Sequence, residues 1–546
     1  MLDDKKYYLL SLACGLLAIG AVVFTFISLG NWYIDDAGIS LAYARNLARD
    51  GVLTAQIGDS PVEGYSNPLW VAIHAIICII TGHPNLLQTR IVGMFVLILC
   101  YIRIIYVFVK HGKAFFQWSL CFALTMLQPS VIIYSLSGLE NSLLVYFALE
   151  LLIQAYKGKK RSLFISSVVV SGLALTRPDA IVYLFFIPMI ILLESGSSRQ
   201  KIKQIVRVTI LPIIVIGAHL AFRLVYFGRL HPNTYYAKAL PVCESLLRLL
   251  KFDYDIQRNL FEATISAFGQ AGAWIILFGI VWALFSNTKA PLFTTQILPA
   301  ALISAMAAFC FAYLPTDWMP LFRFATIYFL GLYSVTAHVI CDKLDLRKGI
   351  LLSAILMVSC TVGCFNGVRR FVRESPVSTA EVSSRGAYFA TWGKLIGKDK
   401  PSLLTADAGG ILLDEHVRLV DLGMLCNAKI ADALGHVNEQ PDRDSFFDYI
   451  LEEVKPTFIA TRAFHSYLAC LDKDARFRRD YVPIHEYVDT WILNRYGVIV
   501  MSGDYVRKDA MAGDPNAFKL MKKQSQGIYY PFDNKHLLCK TKENQQ

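Results

Sequence analysis

The chain has 546 residues, of which 55% are apolar and only 17% are charged, and its mean hydropathy is +0.45. Soluble domains carry roughly 25% charged residues, so this composition excludes an ordinary soluble protein and predicts a polytopic membrane protein with some soluble mass attached. The net charge of +11 comes from small Lys/Arg clusters between apolar runs, without a basic stripe interleaved with aromatics. We therefore expect no nucleic-acid partner and interpret the clusters as topology signals.

Eleven apolar runs are long enough to predict membrane-spanning helices. They lie at about residues 9–29, 91–109, 114–134, 139–156, 162–176, 180–193, 204–226, 271–286, 293–313, 321–341 and 349–365. A shorter run, Pro68 to Thr81, has about fourteen residues, whereas a span needs about 20. We expect it to be interfacial or re-entrant.

The distribution of basic residues predicts the orientation of the chain. If the run from Pro68 to Thr81 does not cross, six clusters fall on one side of the membrane, which the positive-inside rule identifies as the cytoplasm. These clusters are Lys5/Lys6, Lys110/Lys113, Lys157/Lys159/Lys160/Arg161, Arg199/Lys201/Lys203, Lys289 and Lys343/Arg347/Lys348. The N-terminus is then cytoplasmic, and the first run is a retained anchor because no small-residue cleavage site precedes Asn31.

Two adjacent carboxylates, Asp35 and Asp36, follow the first predicted span, at the start of an outer loop over residues 30–68. The stretch "SLAYARNLARDG" has helical spacing and predicts an interfacial helix. One aspartate at its start is explained by N-capping. The second is not, and since adjacent carboxylates repel, the pair is a candidate general base. Asp36 is the preferred base and Asp35 the cap or orienting group, although a one-residue shift of the cap would reverse these roles.

The other predicted outer turns carry acids, bases and aromatics as well. Each residue alone is explained as a helix cap or an interfacial aromatic, but five such turns on one face predict a site. Arg177, His231, Lys238 and Arg323 are candidates for binding a phosphate at headgroup depth, where Arg323 could equally snorkel. The candidate substrate-binding residues are Glu63, Tyr65, Asn67, Glu140, Asn233, Tyr235, Asp317 and Trp318. Cations at this depth, aromatics for a sugar ring and a carboxylate base suit transfer from a lipid-linked sugar donor.

Several of these stretches together resemble one family. The pattern "DDAGIS", followed in order by "EGYSNPLW", "SGLE", "TRPD", "YFGRLHPNTYYAK" and "DWMPLFRF", resembles the lipid-donor-dependent glycosyltransferases of the GT-C class. Within this class the chain is most similar to the mycobacterial terminal arabinofuranosyltransferases and their Gram-negative relatives. The resemblance covers roughly residues 30–330, and weakly 406–434.

The resemblance implies a polyprenyl-phosphate sugar donor and a catalytic acidic residue in the first outer loop, here Asp35 or Asp36. It implies transfer of arabinofuranose, or another pentose or hexose, to a cell-envelope glycan, lipid or protein. The reaction would take place on the outer face of a bacterial inner membrane, in contact with membrane lipid. No cofactor is certain, and although paired carboxylates could bind a divalent cation, the sequence shows no full ligand set.

The composition changes to ordinary soluble content near Val368, which predicts two domains, a transmembrane domain over 1–367 and an extracytoplasmic α/β domain over 368–546. Predicted strands are "SLLTADA", "VRLVDLG", "PTFIAT" and "WILNRYGVIVM", and predicted helices are "SFFDYILEEV" and "AKIADALG". This domain is either a structural cap or an acceptor-recognition domain.

A secondary transporter or lipid-linked-glycan flippase is the alternative function. Such a protein would place ionisable residues near mid-membrane and show two related halves with broken helices. Here the acids lie at the ends of the predicted spans, and no convincing internal repeat is present. The sequence therefore favours the glycosyltransferase.

Overall fold

The computed structural model describes residues 2–240, 242–267, 297–314, 318–344, 346–435, 440–511 and 515–529. The chain divides into two compact units. The first unit comprises residues 1–49, 66–230 and 242–378, and the second comprises 50–65, 231–241 and 379–546. Each unit is therefore assembled from segments that are far apart in the sequence.

The first unit is built from helices. Its α-helices are Leu2–Leu29, Asp35–Asp50 (whose last residue belongs to the second unit), Pro68–Thr81, Leu86–Phe108, Gly112–Met126, Pro129–Leu136, Asn141–Tyr156, Leu163–Thr176, Phe186–Leu193, Ser198–Phe227, Val242–Lys251, Ile297–Tyr313, Thr326–Lys343 and Leu346–Arg373. Residues 254–267 are also helical. Short 3-10 turns occur at Gly158–Lys160, Pro178–Phe185 and Arg323–Ala325.

Ten of the eleven predicted spans coincide with helices or helix pairs, and the run at 271–286 lies outside the described residues. By length and composition, five described helices could each cross a bilayer: Lys5–Leu29, Leu86–Phe108, Ser198–Phe227, Arg323–Asp342 and Leu346–Arg373. Because several other apolar helices have 17 residues or fewer, the count of eleven crossings stays a prediction.

The run at 114–134 is not the single straight span that its composition suggests. It forms two helices, Gly112–Met126 and Pro129–Leu136, bent by 73°. The bend has a local cause, because the residue before a proline is driven out of the α region and the ring occupies the first turn of the second helix. Gln128 accordingly adopts an extended conformation.

The short apolar run forms a helix with the expected bounds, Pro68–Thr81. Proline in the first turn favours the start of this helix. The helix ends at Gly82, whose φ of 81° allows the left-handed cap. The Gly82 N–H donates to the Cys78 carbonyl at 2.8 Å. At 1.5 Å per residue the helix spans only about 21 Å, short of the roughly 30 Å hydrocarbon core.

The second unit contains a five-stranded sheet in the order β2-β1-β3-β5-β4. The strands are β1 (Ser402–Thr405), β2 (Arg418–Asp421), β3 (Phe458–Thr461), β4 (Tyr481–Val488) and β5 (Met501–Arg507). β1 pairs in parallel with β2 and β3, with Leu403 opposite Leu419 and Leu404 opposite Ile459. β5 is antiparallel to β3 and β4, with a register shift between Pro483 and His485.

The helices of this unit are Asn233–Lys238, Thr379–Leu395, Gly409–Asp414, Ala428–Leu434, Arg443–Asp448, Ala463–Ala469, Ala475–Asp480, Thr490–Tyr496 and Pro515–Tyr529. A π-helical turn, Tyr449–Val454, and 3-10 turns at Leu471–Lys473 and Asp509–Met511 complete the list.

Three of the four predicted strands are confirmed as β1, β2 and β3, and both predicted helical stretches are helical. The prediction of a strand over "WILNRYGVIVM" is wrong for its first part. Residues Thr490–Tyr496 form a helix, because the Asp489 carboxylate accepts from the N–H groups of Trp491 and Ile492 and so caps it. The strand β5 begins only at the last residue of this stretch, and the strand β4 was not predicted.

The predicted domain boundary at 367/368 falls inside the helix Leu346–Arg373, whereas the second unit resumes at Thr379. Residues 50–65, part of the predicted first outer loop, belong to this unit. Gln56 exchanges two hydrogen bonds with the backbone of Leu419 in β2, at 2.8 and 2.9 Å, and Asp59 pairs with Arg418 at 2.5 Å. Gln56 and Asp59 thus lie against β2, the edge strand of the sheet.

In the first unit, a buried arginine fixes the end of the first helix. Arg90 is 1% exposed, and its guanidinium donates to the carbonyls of Gly30, Trp32 and Leu136, the last at 2.8 Å. The Tyr33 ring centroid lies 4.1 Å from its Cζ. The three carbonyls lie at or just beyond helix C-termini, where they carry partial negative charge. Arg90 therefore neutralises two helix ends at once.

We expect Arg90→Lys to lower the stability of the full-length protein by about 1.5–3 kcal/mol, because the ammonium group cannot reproduce the planar fork and hydrogen bonds to charged groups are worth about this much. The measurement is the thermal unfolding midpoint in detergent. Arg370→Lys is the matched control, since that side chain is 78% exposed and pairs with Glu374 at 3.2 Å. Equal midpoints for the two variants would contradict this role of Arg90.

Candidate active site

Three motifs from distant parts of the sequence meet at Gly138. This glycine has a φ of 101°, which other residues rarely adopt, and a Cβ added to it would lie 2.7 Å from the Ala37 Cβ. Its carbonyl accepts from the indole N–H of Trp70 at 2.9 Å. The "SGLE" turn is therefore held against both the "DDAGIS" helix and the "NPLW" helix.

Asp35 and Asp36 form the first turn of the helix Asp35–Asp50. Their negative charges are favourable there because a helix N-terminus carries partial positive charge. Asp35 is 7% exposed, whereas the side chain of Asp36 is 24% exposed. Of the two carboxylates, Asp36 is thus the more accessible to a substrate.

Arg323 faces Asp36 across the first unit. Its Nη1 lies 3.7 Å from the Asp36 Oδ2, which is an ion pair without a hydrogen bond. The Arg323 side chain is only 10% exposed. Its Cζ lies 4.6 Å from the Phe324 ring centroid, and the Arg177 Cζ lies 4.3 Å from the same centroid. One phenyl ring thus contacts two guanidinium groups.

Arg177 is held by two carboxylates, Asp179 at 2.9 Å and Glu140 at 3.4 Å. The other Glu140 oxygen accepts from the Asn67 amide at 2.8 Å, and the Asn67 carbonyl oxygen accepts from the Ser40 hydroxyl at 3.1 Å. A chain of hydrogen bonds therefore connects the helix that begins at Asp35 with Arg177. Both ends of the Asn67 amide are used within the protein, which indicates that this residue positions its neighbours.

The segment after residue 317 presents Arg323 through a strained turn. Leu321 and Phe322 have φ values of 67° and 57°, in the left-handed region that residues other than glycine rarely adopt. Met319 is buried in a cluster with Ile34, Ala37, Tyr134 and Leu139. In addition, the Tyr134 hydroxyl donates to the Pro320 carbonyl at 2.7 Å. Trp318 is 49% exposed, and the predicted site residue Asp317 lies outside the described residues.

The second unit holds the other predicted residues, and Asn233 anchors one of its segments. The Asn233 amide donates to the carbonyls of Met424, Leu425 and Asn427, at 2.7–3.2 Å, and its backbone N–H donates to the Glu63 carbonyl at 2.8 Å. These hydrogen bonds join the three segments of the second unit, residues 50–65, 231–241 and 379–546. Asn233 and Glu63 are 1% and 2% exposed, so their predicted contacts with substrate stay predictions.

Asp421 shapes the loop to which Asn233 binds. Its carboxylate accepts from the N–H groups of Gly423, Leu425 and Cys426, at 2.7–2.8 Å. Burial raises the pKa of Asp421 to about 6, although these N–H groups and the charge of Lys238 act in the opposite direction. Lys238 thus acts electrostatically on a carboxylate of its own unit, and its predicted role in binding phosphate is untested.

The remaining predicted residues of the second unit are aromatic or cationic. The exposed His231 stacks on Tyr235 with the ring centroids 4.4 Å apart, and Tyr235 meets Tyr236 edge to face at 5.6 Å. Tyr65 is buried. The stacked pair His231 and Tyr235 has the geometry of a platform for a sugar ring, and this role stays a prediction.

Within the part of the chain that the structure describes, no group of three or more His, Cys, Asp or Glu side chains could hold a metal ion. Asp35 and Asp36 are adjacent in sequence, and Asp36 already pairs with a cation, Arg323. Among the described residues, the aspartate pair is not a full ligand set for a divalent cation, and we derive no step through a metal.

Three residues that organise this site were not predicted from the sequence. Arg90 carries no signal, because it resembles a topology charge at the end of an apolar run. Phe324 and Ser40 look like ordinary span residues. The fold shows that Phe324 contacts two arginines and that the Ser40 hydroxyl donates to Asn67. The motif "PLFRF" contains Phe324 beside Arg323, and this adjacency was the available clue.

Comparison with known proteins gives one kind of match. No family model matches the chain, and no curated protein matches it significantly by sequence. The chain resembles the crystal structure of ArnT from Cupriavidus metallidurans bound to undecaprenyl phosphate, with a TM-score of 0.50, 13% identity, and 89% of this chain and 97% of that chain covered. The apo structure of the same protein gives a TM-score of 0.49, 13% identity and coverages of 92% and 98%.

The first of these matches extends over nearly the whole of both chains. With the helices and the small sheet described above, it confirms the predicted fold class: a polytopic α-helical membrane protein with a GT-C-like fold and a C-terminal α/β region. At 13% identity the likeness concerns the fold. The closer similarity to arabinofuranosyltransferases stays a prediction.

We expect Asn67→Asp to destabilise the first unit, because a carboxylate would replace the amide donor 2.8 Å from the Glu140 carboxylate. Losing a buried hydrogen bond to a charged group costs about 1.5–3 kcal/mol, and repulsion adds to this cost. Thermal unfolding in detergent measures the change. Asn85→Asp is the matched control: Asn85 caps its helix by accepting from Leu87 N–H at 2.8 Å, which aspartate also does. An equal effect of both variants would argue against the chain through Asn67.

Proposed function

We propose that the protein is a membrane glycosyltransferase that moves a sugar from a polyprenyl-phosphate donor to an acceptor in the cell envelope. The observation that carries the proposal is the pairing of Asp36 with Arg323, beside Arg177 and Glu140, in the first unit. This arrangement supplies a partly exposed carboxylate for an acceptor hydroxyl and guanidinium groups for a phosphate within one cluster. The structural match to a protein bound to undecaprenyl phosphate supports a lipid of this chemical class.

In this reaction the acceptor hydroxyl oxygen attacks the anomeric carbon of the donor sugar. The bond between that carbon and the phosphate oxygen breaks, and polyprenyl phosphate leaves with the electron pair. The hydroxyl proton passes to Asp36, which acts as general base. Arg323 and Arg177 stabilise the negative charge that develops on the leaving phosphate. Asp35, at the same helix N-terminus, orients the acceptor or caps the helix.

The finer assignments belong to the same proposal. The sugar is arabinofuranose or another pentose or hexose, and the acceptor is a glycan, lipid or protein. The chain would lie in a bacterial inner membrane with its N-terminus in the cytoplasm. The second unit, with the stacked pair His231 and Tyr235, would be extracytoplasmic and contribute to recognition of the acceptor.

The decisive experiment is transfer of a radiolabelled pentose from its polyprenyl phosphate by the purified full-length protein in detergent. We expect transfer with the wild type, and a rate about 10²–10⁴-fold lower with Asp36→Asn, because the amide keeps the shape and loses the basicity. Asp50→Asn, at the exposed C-terminal end of the same helix, is the matched control and should keep wild-type activity.

Equal turnover of Asp36→Asn and wild type would remove the base assignment. Absence of transfer for every pentosyl and hexosyl donor would contradict the proposed function. A transporter or flippase would give this second result, because detergent abolishes any gradient and either protein leaves its cargo chemically unchanged.

The orientation is tested separately with a reporter that is active only outside the cytoplasm. We expect activity when the reporter follows Arg373, where the last helix of the first unit ends, and none when it is fused at Lys159 or Lys201. The reason is the clustering of Lys and Arg in the predicted inner turns. Activity of the fusion at Lys159 would overturn the predicted topology.

A further inference from the structure

The strained turn before Arg323 is held on both of its sides. Leu321 and Phe322 have φ values of 67° and 57°, and such conformations persist only where the surrounding structure holds them. On one side the Pro320 carbonyl accepts from the Tyr134 hydroxyl at 2.7 Å. On the other side the carbonyl of Arg323 itself accepts two hydrogen bonds from side chains. The turn is therefore fixed from outside, and Arg323 follows it directly.

Two buried residues, Asn141 and Thr326, supply the hydrogen bonds to the Arg323 carbonyl. The Asn141 amide donates to it at 3.3 Å and the Thr326 hydroxyl at 3.0 Å. The same amide donates to the Thr326 hydroxyl oxygen at 2.7 Å. Because the only hydroxyl proton of Thr326 goes to the carbonyl, its oxygen accepts from Asn141, and this determines the orientation of the amide. Both residues are 1% exposed, so water does not compete for these bonds.

Asn141 is the first residue of the helix Asn141–Tyr156 and directly follows Glu140. The Glu140 carboxylate accepts from the Arg177 guanidinium at 3.4 Å. The start of one helix therefore contacts the side chain of Arg177 and the backbone of Arg323. Groups held by helices are placed more precisely than groups held by loops. Both arginines thus have a common, rigid point of support.

We propose that Asn141 is a positioning residue for donor binding: with Thr326 it holds the turn that presents Arg323 to the donor phosphate. The inference rests on the proposed function and adds to it a residue that acts through Arg323. A charge-assisted hydrogen bond requires both a short distance and a good angle, so an arginine with a displaced backbone binds phosphate less well. Removing the Asn141 amide takes away one buried donor and lets the strained turn relax.

We expect Asn141→Ala to weaken the binding of undecaprenyl phosphate about 10-fold, which is within the loss expected from a displaced charge-assisted contact. Thr326→Val removes the second donor and should also weaken binding. Thr326→Ser keeps the hydroxyl and should bind within about 2-fold of the wild type. Gln154→Ala is the matched control, because Gln154 is a buried amide of the same helix that donates to Glu150 at 2.6 Å. Its affinity for the lipid should be that of the wild type.

A double-mutant cycle separates positioning of Arg323 from a general loosening of the first unit. If Asn141 acts through Arg323, Asn141→Ala should change the affinity by less than about 2-fold once Arg323 has been replaced in Arg323→Gln. General loosening predicts the same loss from Asn141→Ala in both backgrounds. The cycle therefore gives a different result for each explanation, even where Asn141→Ala also lowers stability.

The experiment is a titration of the purified full-length variants with undecaprenyl phosphate in a neutral detergent, followed by thermophoresis. Thermal unfolding midpoints without the lipid establish that each variant is folded, and the two Thr326 variants carry the test if Asn141→Ala does not fold. Wild-type affinity of the folded Asn141→Ala and Thr326→Val variants, or equal losses in both backgrounds, would overturn the positioning role and leave the proposed function standing. Failure of the wild type to bind the lipid would overturn both.

Discussion

The placement of the aspartates depends on a cation buried where helices end. A helix C-terminus leaves carbonyl groups without partners, and in an apolar environment each of these is costly. Arg90 satisfies such carbonyls beyond the first helix and at the end of Pro129–Leu136 with a single guanidinium. These hydrogen bonds fix the direction in which the chain leaves the first helix. Three residues after Trp32, the chain enters the helix that begins with Asp35.

Two acid–arginine pairs of the first unit share one aromatic ring. Asp36 pairs with Arg323 and Glu140 pairs with Arg177, and both guanidinium groups contact Phe324. An isolated buried charge is costly, whereas each carboxylate here stabilises the arginine that it faces. The ring lies against both cations, so the two pairs belong to one cluster.

The sequence reveals the helical architecture and the stretches that gather at the site, because apolar period and length determine the helices and because "DDA", "SGLE", "TRPD" and "LFRF" each follow or precede such a run. It does not reveal which partner each side chain takes. Asn67 looks like a substrate ligand in the sequence, but its amide lies between Ser40 and Glu140. Partners separated by 73 residues along the chain are chosen by tertiary packing, which no local pattern encodes.

The same limit explains the errors in the C-terminal region. The stretch from Trp491 is rich in apolar and β-branched residues, yet the cap from Asp489 makes it a helix, so a single preceding carboxylate outweighs strand propensity. Pro483 explains why β4 was not predicted, because a proline argues against a strand. In the structure this proline is tolerated because it lies beside a register shift.

The second unit is assembled from segments made at very different times. Gln56 finds its partner, the backbone of Leu419, only after 363 further residues have been added to the chain. At synthesis rates of about 5–20 residues per second, this interval is about 20–70 seconds. During that time Gln56 and Asp59 lack β2, the edge strand whose residues Leu419 and Arg418 they contact. The sheet edge of the second unit therefore cannot be completed until about three quarters of the chain has been synthesised.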